Sequence, residues 1–274
     1  MGLFGKLFEK KECAICGGEI GLLGNRKLED GNMCKACAAK LSPWFDERRH
    51  STVAQIEEQL EYRESNKENV AAFRTTLSLG ETAKVLVDED VGRFMVASAR
   101  NYSEANPDVL ELSDITGCTY DIDEGIDEVT RFDENNEAVS YDPPRFTHSY
   151  NFYVTVYVNN PYFDDMRFKV NSRTVEVEER RGPAVSANPG SINLVIGSLS
   201  GAETFNPEAS VEYCTYRDLC ERIVVTLLEN RQSAREEIAA AAAPKAAVAC
   251  PYCGATTTPT TTNCCEFCVG ALGD

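Results

Sequence analysis

Eight of the twelve cysteines in this chain fall into four C-x-x-C pairs, two near each end: Cys13/Cys16 with Cys34/Cys37, and Cys250/Cys253 with Cys265/Cys268. Zn²⁺ takes thiolates in a tetrahedron, and a C-x-x-C turn aims two sulfurs at one point, so two such turns complete one closed site. Seventeen residues separate Cys16 from Cys34, within the C-x2-C-x15–20-C-x2-C zinc spacing. Eleven separate Cys253 from Cys265, enough for a tight hairpin between two knuckles. Two structural Zn²⁺ sites are therefore predicted. The competing readings are a disulfide framework and a redox C-x-x-C; no secretory signal is visible, and two paired quartets exceed what a redox pair needs. A reduced, cytoplasmic compartment is expected.

The chain has 274 residues, 43% hydrophobic and 26% charged, with a formal charge of −17. That is enough for one medium domain plus small modules. Loading two four-thiolate zinc sites would bring the charge to about −21. Such a field repels phosphate backbones, which a binding protein must meet with clustered Lys and Arg. No nucleic-acid partner is expected, and a protein partner is. No apolar run approaches the 18 residues of a membrane span. Residues 1–11 place Leu3, Phe4, Leu7 and Phe8 at helical spacing beside Lys6, Lys10 and Lys11. A tail packed on the protein is the favoured reading of that segment, and a membrane surface is its alternative.

Residues 12–50 read as one four-cysteine module: a knuckle at Cys13–Gly18, a hairpin, then a second ligand pair at a helix start, where amides and dipole favour thiolates. Gly24-Asn25 and Glu29-Asp30-Gly31-Asn32 supply its turn residues. The order knuckle, hairpin, helix is treble-clef-like. The sequences Cys-x-Ile-Cys-Gly-Gly, Gly-Leu-Leu-Gly-Asn-Arg-Lys-Leu-Glu-Asp-Gly and Cys-Lys-x-Cys in this stretch resemble an uncharacterised bacterial family of N-terminal four-cysteine domains predicted to bind zinc. The resemblance covers residues 12 to 45 and extends through Arg48–Ser51. It implies Cys13, Cys16, Cys34 and Cys37 as ligands, and brings no catalytic residue with it.

Residues 51–79 are predicted as a helical connector. Thr52 with Gln55 and Ser65 with Glu68 have capping-box spacing, placing two helices over Val53–Tyr62 and Asn66–Phe73. Residues 80–243 alternate with period two and then turn helical. Strands are predicted at Lys84–Val87, Arg93–Ala97, Ile115–Ile122, Asp127–Phe132, Asn151–Val158, Met166–Val170, Thr174–Val177 and Ile192–Ile196. Pro143-Pro144, Asn160-Pro161 and the 182–190 stretch are read as punctuation. A helix capped by Asn206, with Pro207 at its first position, carries the stripe Val211, Tyr216, Leu219, Cys220, Ile223, Leu227 and Leu228 and runs on to Pro244. The fold class is α+β. An antiparallel sheet closed by one C-terminal helix is pleckstrin-homology-like (PH-like) in plan; an open α+β sheet with a covering helix is the alternative. Residues 244–249 form a linker, and 250–274 a C-terminal zinc ribbon.

Enzymatic chemistry finds little support. There are two histidines, His50 and His148, neither within a catalytic motif, and no phosphate-binding, dinucleotide-binding, H-E-x-x-H or G-x-S-x-G pattern occurs. Asp121–Glu128 is carboxylate-rich, but its glycine falls at position 5 of an EF-hand count, not 6. It is expected as an exposed strand-turn-strand. Cys264 is expected to be free, and Cys118, Cys214 and Cys220 to behave as small buried hydrophobes. The aromatics of Tyr150–Phe163 could form a binding face, but the period-two pattern puts half of them in the core, which is the favoured reading. The function this points to is a non-enzymatic zinc-binding adaptor, with peripheral membrane association as the alternative.

Overall fold

In a computed structural model the protein is described over residues 11–21, 23–98, 102–179, 205–243, 247–260 and 262–272. The apolar segment at 1–10, the strand expected at Ile192–Ile196 and the loop at 182–190 lie outside the described residues. The chain divides into two compact units, residues 1–231 and 232–274.

The first unit begins with short elements around the N-terminal cysteines. β1 (Lys11–Glu12) and β2 (Glu19–Ile20) flank the first knuckle, β3 (Asn25–Lys27) and β4 (Asn32–Cys34) form a hairpin, and α1 (Lys35–Ala38) follows at once. Their core is small: Cys13, Ile20, Leu28, Met33, Cys37 and Leu41, closed from outside by Ile56. Ile56 belongs to α2 (Val53–Ala72), which starts in the expected capping box, Thr52 with Gln55. The Val53 amide donates to Asp30 Oδ1 at 2.8 Å, which docks the helix start on the hairpin turn. Gly31 is needed there because a Cβ would come within 2.8 Å of Val53 Cγ2.

α2 is one helix where two were predicted. The Ser65 hydroxyl donates back to the Tyr62 carbonyl at 2.8 Å and does not cap a new start. Asn66 is spent on tertiary bonds: its Nδ2 reaches the Pro107 carbonyl at 2.7 Å, and its Oδ1 accepts from the Val109 amide at 3.0 Å. One turn earlier on the same face, Arg63 Nη1 meets Asp108 Oδ1 at 2.7 Å, with the two side chains 6% and 0% exposed. Ser42 Oγ donates to the other Asp108 oxygen at 2.8 Å, and Arg63 also donates to the carbonyls of Lys40 and Asn106. This buried network joins the cysteine module, α2 and the segment entering the sheets.

Two antiparallel sheets follow. β5 (Leu77–Gly80), β6 (Lys84–Asp88), β7 (Arg93–Ala97) and β8 (Val109–Glu111) form a meander, preceded at β8 by the one-turn α3 (Tyr102–Ala105). β5 and β8 went unpredicted. Gly80 turns the first hairpin at φ +104, and a Cβ there would sit 2.2 Å from the Ala83 carbonyl oxygen. Gly80→Ala should therefore cost about 2 kcal/mol or more, read as a lowered urea midpoint; an unchanged midpoint would refute the turn geometry.

The second sheet centres on β10 (Ala138–Val158), with β9 (Ile115–Phe132) along one edge and β11 (Asp165–Lys169) and β12 (Val175–Glu178) sharing the other. Ile115–Ile122 and Asp127–Phe132 are thus one strand and not two. Glu124, Gly125 and Ile126 pair with Tyr150, Ser149 and His148, so the ladder runs through the predicted turn. Pro143-Pro144 lies inside β10, at a register shift between Ser140 and Arg145 where no ladder amide is required. Phe152, Val154, Val156 and Val158 are buried as their alternation predicts, with Tyr150 and Phe163 beside them in the core.

Asn206 caps a separate 3-10 turn, Pro207–Ala209, and α4 starts at Val211 and runs to Ala242. Val211, placed on the predicted stripe, is exposed; Tyr216, Cys220, Ile223 and Leu227 are buried. Within the first unit this face reaches both sheets: Tyr213 and Tyr216 pack against Phe152, and the Tyr216 hydroxyl donates to Glu81 Oε2 at 3.1 Å. Among the described residues no helix is long and apolar enough to cross a membrane.

Candidate metal centres

The eight predicted cysteines gather into two clusters. Cys13, Cys16, Cys34 and Cys37 form one, and Cys250, Cys253, Cys265 and Cys268 the other, with the sulfurs of each within 4.8 Å of one another. All are free thiols. Measured pairs are Cys16–Cys34 at 3.9 Å, Cys250–Cys268 at 3.5 Å and Cys253–Cys265 at 3.7 Å. A zinc–thiolate tetrahedron with bonds of about 2.3 Å has edges of about 3.8 Å, so the donor set and its spacing fit the ion. Four protein ligands leave no open position, which is the structural type of site.

Three of the four C-x-x-C turns share one backbone device. In each, the first cysteine's carbonyl accepts from the residue just after the second cysteine: Gly17 at 2.8 Å, Gly254 at 2.9 Å and Val269 at 2.8 Å. The first cysteine's own amide donates to the next residue along, Gly18, Ala255 or Gly270. This closure needs positive φ, observed at +68, +72 and +60 respectively. The fourth turn differs: Cys34 caps α1, its sulfur accepting from the Cys37 amide at 3.3 Å.

The thiols are electrostatically unequal. Burial pushes Cys13 up, but amides of Cys34, Cys16 and Ile15 outweigh it and bring the thiol down to about 6. Burial and then the neighbouring Cys34, Cys16 and Cys13 push Cys37 up to about 12. Cys250 follows Cys13, lowered to about 6 by amides of Cys253 and Tyr252 against burial. At Cys268 the Gly270 amide pulls downward, yet Cys250, burial and the other two thiols drive it up to about 12. Once the first sulfur ionises, converging thiols resist further ionisation until a cation neutralises them. Metal uptake at neutral pH must therefore release protons from Cys37 and Cys268, and affinity should rise with pH and fall on acidification toward 6. Calorimetric zinc titration in two buffers of different ionisation enthalpy checks this; an uptake that releases no proton contradicts it. Protein purified without added metal should carry about two zinc per chain by elemental analysis, and fully oxidised pairs would refute the site.

Among the other cysteines, Cys264 stands outside the cluster and donates to the Thr262 carbonyl at 3.4 Å. Cys118 and Cys220 are buried, and burial raises each thiol to about 12. Cys214 is half-exposed and donates to the Glu208 carbonyl, so the buried reading fails for it. The acidic run of β9 is engaged with side chains: Arg167 holds Asp121 at 2.5 Å and Asp123 at 3.8 Å, and Glu124 Oε1 binds His148 Nδ1 and the Tyr150 hydroxyl. Those bonds lower the Glu124 carboxyl below its ordinary value. His148 stacks on Phe205 with ring centroids 3.7 Å apart, whereas His50 is exposed in the 3-10 turn before α2. Sequence reading missed the Glu124–His148–Tyr150 group because its members come from opposite strands in a register that periodicity alone does not fix.

Residues 11–59 match a family model described as a domain of unknown function, DUF4428. No curated protein and no solved structure matches the chain. The matched stretch holds the whole N-terminal four-cysteine cluster and the first turns of α2, so it coincides with the core that Ile56 closes.

Proposed function

We propose that this chain is a cytoplasmic, non-enzymatic zinc-binding adaptor that mediates protein–protein interaction. The observation that carries this reading is that each compact unit closes its own four-thiolate cluster with protein ligands alone, an arrangement that stabilises a fold and leaves no position for a substrate. The N-terminal module is read as treble-clef-like from its knuckle, hairpin and helix-borne second ligand pair. The sheets are read as PH-like: a four-stranded meander, a second antiparallel sheet, and a C-terminal helix whose buried face touches both. The C-terminal cluster, on two knuckles with Val248–Ala249 paired to Thr256–Thr257, is read as a zinc ribbon. The net charge of −17 favours protein over nucleic acid as partner.

Affinity capture from the cell of origin tests the reading, using the full chain, a chain ending at Ala243, and the full chain after chelation. The expected result is a defined set of proteins retained by the full chain and lost from the other two. An empty set, or an identical set in all three, overturns it.

A further inference from the structure

The 3-10 turn Glu47–His50, the first turns of α2 and the loop between β10 and β11 border a cleft of about 370 Å³, a volume that suits a small ligand or one long side chain. Its walls carry the Phe45 and Tyr162 rings, the Glu47 and Glu58 carboxylates, Gln55 and His50, and no Lys or Arg. These side chains face one space, so the rings and the charges act on the same occupant.

Local structure places each group. Glu47 is the acidic first residue of the 3-10 turn, and Glu58 stands on the exposed side of α2. After β10 the chain turns at Asn160-Pro161, where the Tyr162 amide donates to Asn160 Oδ1 at 2.9 Å. The Tyr162 hydroxyl donates to the Glu58 carbonyl at 3.4 Å, and its ring packs on Tyr62 with centroids 4.9 Å apart. The ring is thus held before any ligand arrives, which lowers the ordering cost of binding.

The charge in the cleft is uncompensated. Among the described residues neither Glu47 nor Glu58 has a cationic partner. Arg48, the next residue of the turn, donates instead to the Lys27 carbonyl at 2.7 Å. Burial, and then the carboxylates of Glu58 and Glu61, push the Tyr162 hydroxyl above its ordinary value, so negative potential gathers around that ring. An aromatic face attracts a cation through its quadrupole, and more strongly where water is partly excluded. An anion would meet two unpaired carboxylates, and a neutral ligand would use neither the charge nor the quadrupole.

We propose that this cleft binds an organic cation, an alkylammonium or guanidinium group, seated against the Phe45 and Tyr162 rings and beside Glu47 and Glu58. The site goes beyond the adaptor reading and stands without it. The cationic group can come from a free amine or from a Lys or Arg side chain of a bound peptide. Binding should be in the millimolar range and should weaken with salt.

Nuclear magnetic resonance titration of the full zinc-loaded chain tests this with n-butylammonium, n-butylguanidinium, the neutral n-butylurea, and capped tripeptides carrying a central Lys or Arg between glycines. The two butyl cations should saturate at one per chain, with amide shifts confined to residues 45–58 and 159–162, and butylurea should not bind. Glu47→Gln with Glu58→Gln, both at exposed positions, should weaken the cations about fivefold or more. Tyr162→Leu should do the same, whereas Tyr162→Phe, which keeps the ring and gives up only the hydroxyl bond, should stay close to the native affinity. Tripeptides that bind as well as the butyl cations identify a side chain as the source, and their exclusion identifies a free amine. Butylurea matching the cations, unchanged affinity in the carboxylate double variant, or shifts that spread over the acidic surface without saturating would each overturn the site.

Discussion

Asp108→Ala should lower the unfolding free energy by about 3–5 kcal/mol, a large effect for a residue outside both metal centres. The reason is what stays behind. Arg63, 6% exposed and bonded to Asp108 at 2.7 Å, would keep a buried charge without its counterion, and Ser42 Oγ would lose its acceptor. Arg63→Ala should cost a similar amount by stranding the carboxylate. Removing both partners with apolar replacements, Arg63→Met with Asp108→Leu, should be far milder than either single change, because the pair itself barely offsets its own desolvation. The carboxyl points the same way: burial pushes Asp108 above its ordinary value even with Arg63 and Ser42 pulling it down. A carboxyl raised in the folded state costs stability when ionised, so the full cost is present above its folded value and is relieved as pH falls from there toward its unfolded value. Urea unfolding of the four chains in a double-mutant cycle is the measurement. Simple additivity of the two single effects would show that the pair does not act as a unit.

Loss of the N-terminal metal should be larger still, and centred on its own module. Cys37→Ser should reduce the zinc content from two to one and abolish amide-exchange protection across residues 11–50. The core there consists of Cys13, Ile20, Leu28, Met33, Cys37 and Leu41 with Ile56 above it, and two of its members are ligands. So few apolar side chains cannot offset the ordering of about 40 residues, at roughly 1–2 kcal/mol each for backbone alone. Zinc binding, at about 10–16 kcal/mol for comparable small modules, is then the folding free energy. The corresponding change in the second unit, Cys265→Ser, should unfold the stretch from Val248 to Leu272, whose buried cluster is only Cys250, Cys265 and Leu272. Protection that survives in 11–50 with a single zinc bound would show that the module folds on its apolar core.

The two four-cysteine clusters were legible in the sequence because coordination chemistry writes itself into local spacing. Two sulfurs three residues apart report a turn whatever surrounds them, and the helix start at Cys34–Cys37 follows from the same chemistry. Alternation likewise exposed the inner half of β10, where one face is buried, and the turn at Asp88–Gly92 marked β6 and β7, which are buried on both faces. It was silent where both faces of a strand meet water: the outer part of β9, from Asp123 to Phe132, is mostly exposed, so nothing in its pattern separates strand from turn. Short β5 and β8 hold too few residues to show a period. Ser65 had the right spacing for a cap, yet the helix runs on through it and Asn66 bonds Asn106, 40 residues away. The Arg63–Asp108 pair, 45 residues apart in the chain, left no local signal at all.

α2 has consequences beyond its length of about 30 Å. Near its first turn Ile56 is a wall of the four-cysteine module's core; near its last, Val70 and then Phe73 join Leu86, Met95, Ala97 and Val109 in the core of the meander. Between those ends, Arg63 and Asn66 grip the loop that leads into β8. One helix is thus anchored in two cores, one built around the four cysteines and the other on sheet packing. Removing a metal ion from Cys13–Cys37 would loosen one anchor, and the helix would pass that change to residues that touch no sulfur. Binding of a metal ion by those four cysteines would in this way be felt at the near end of the meander.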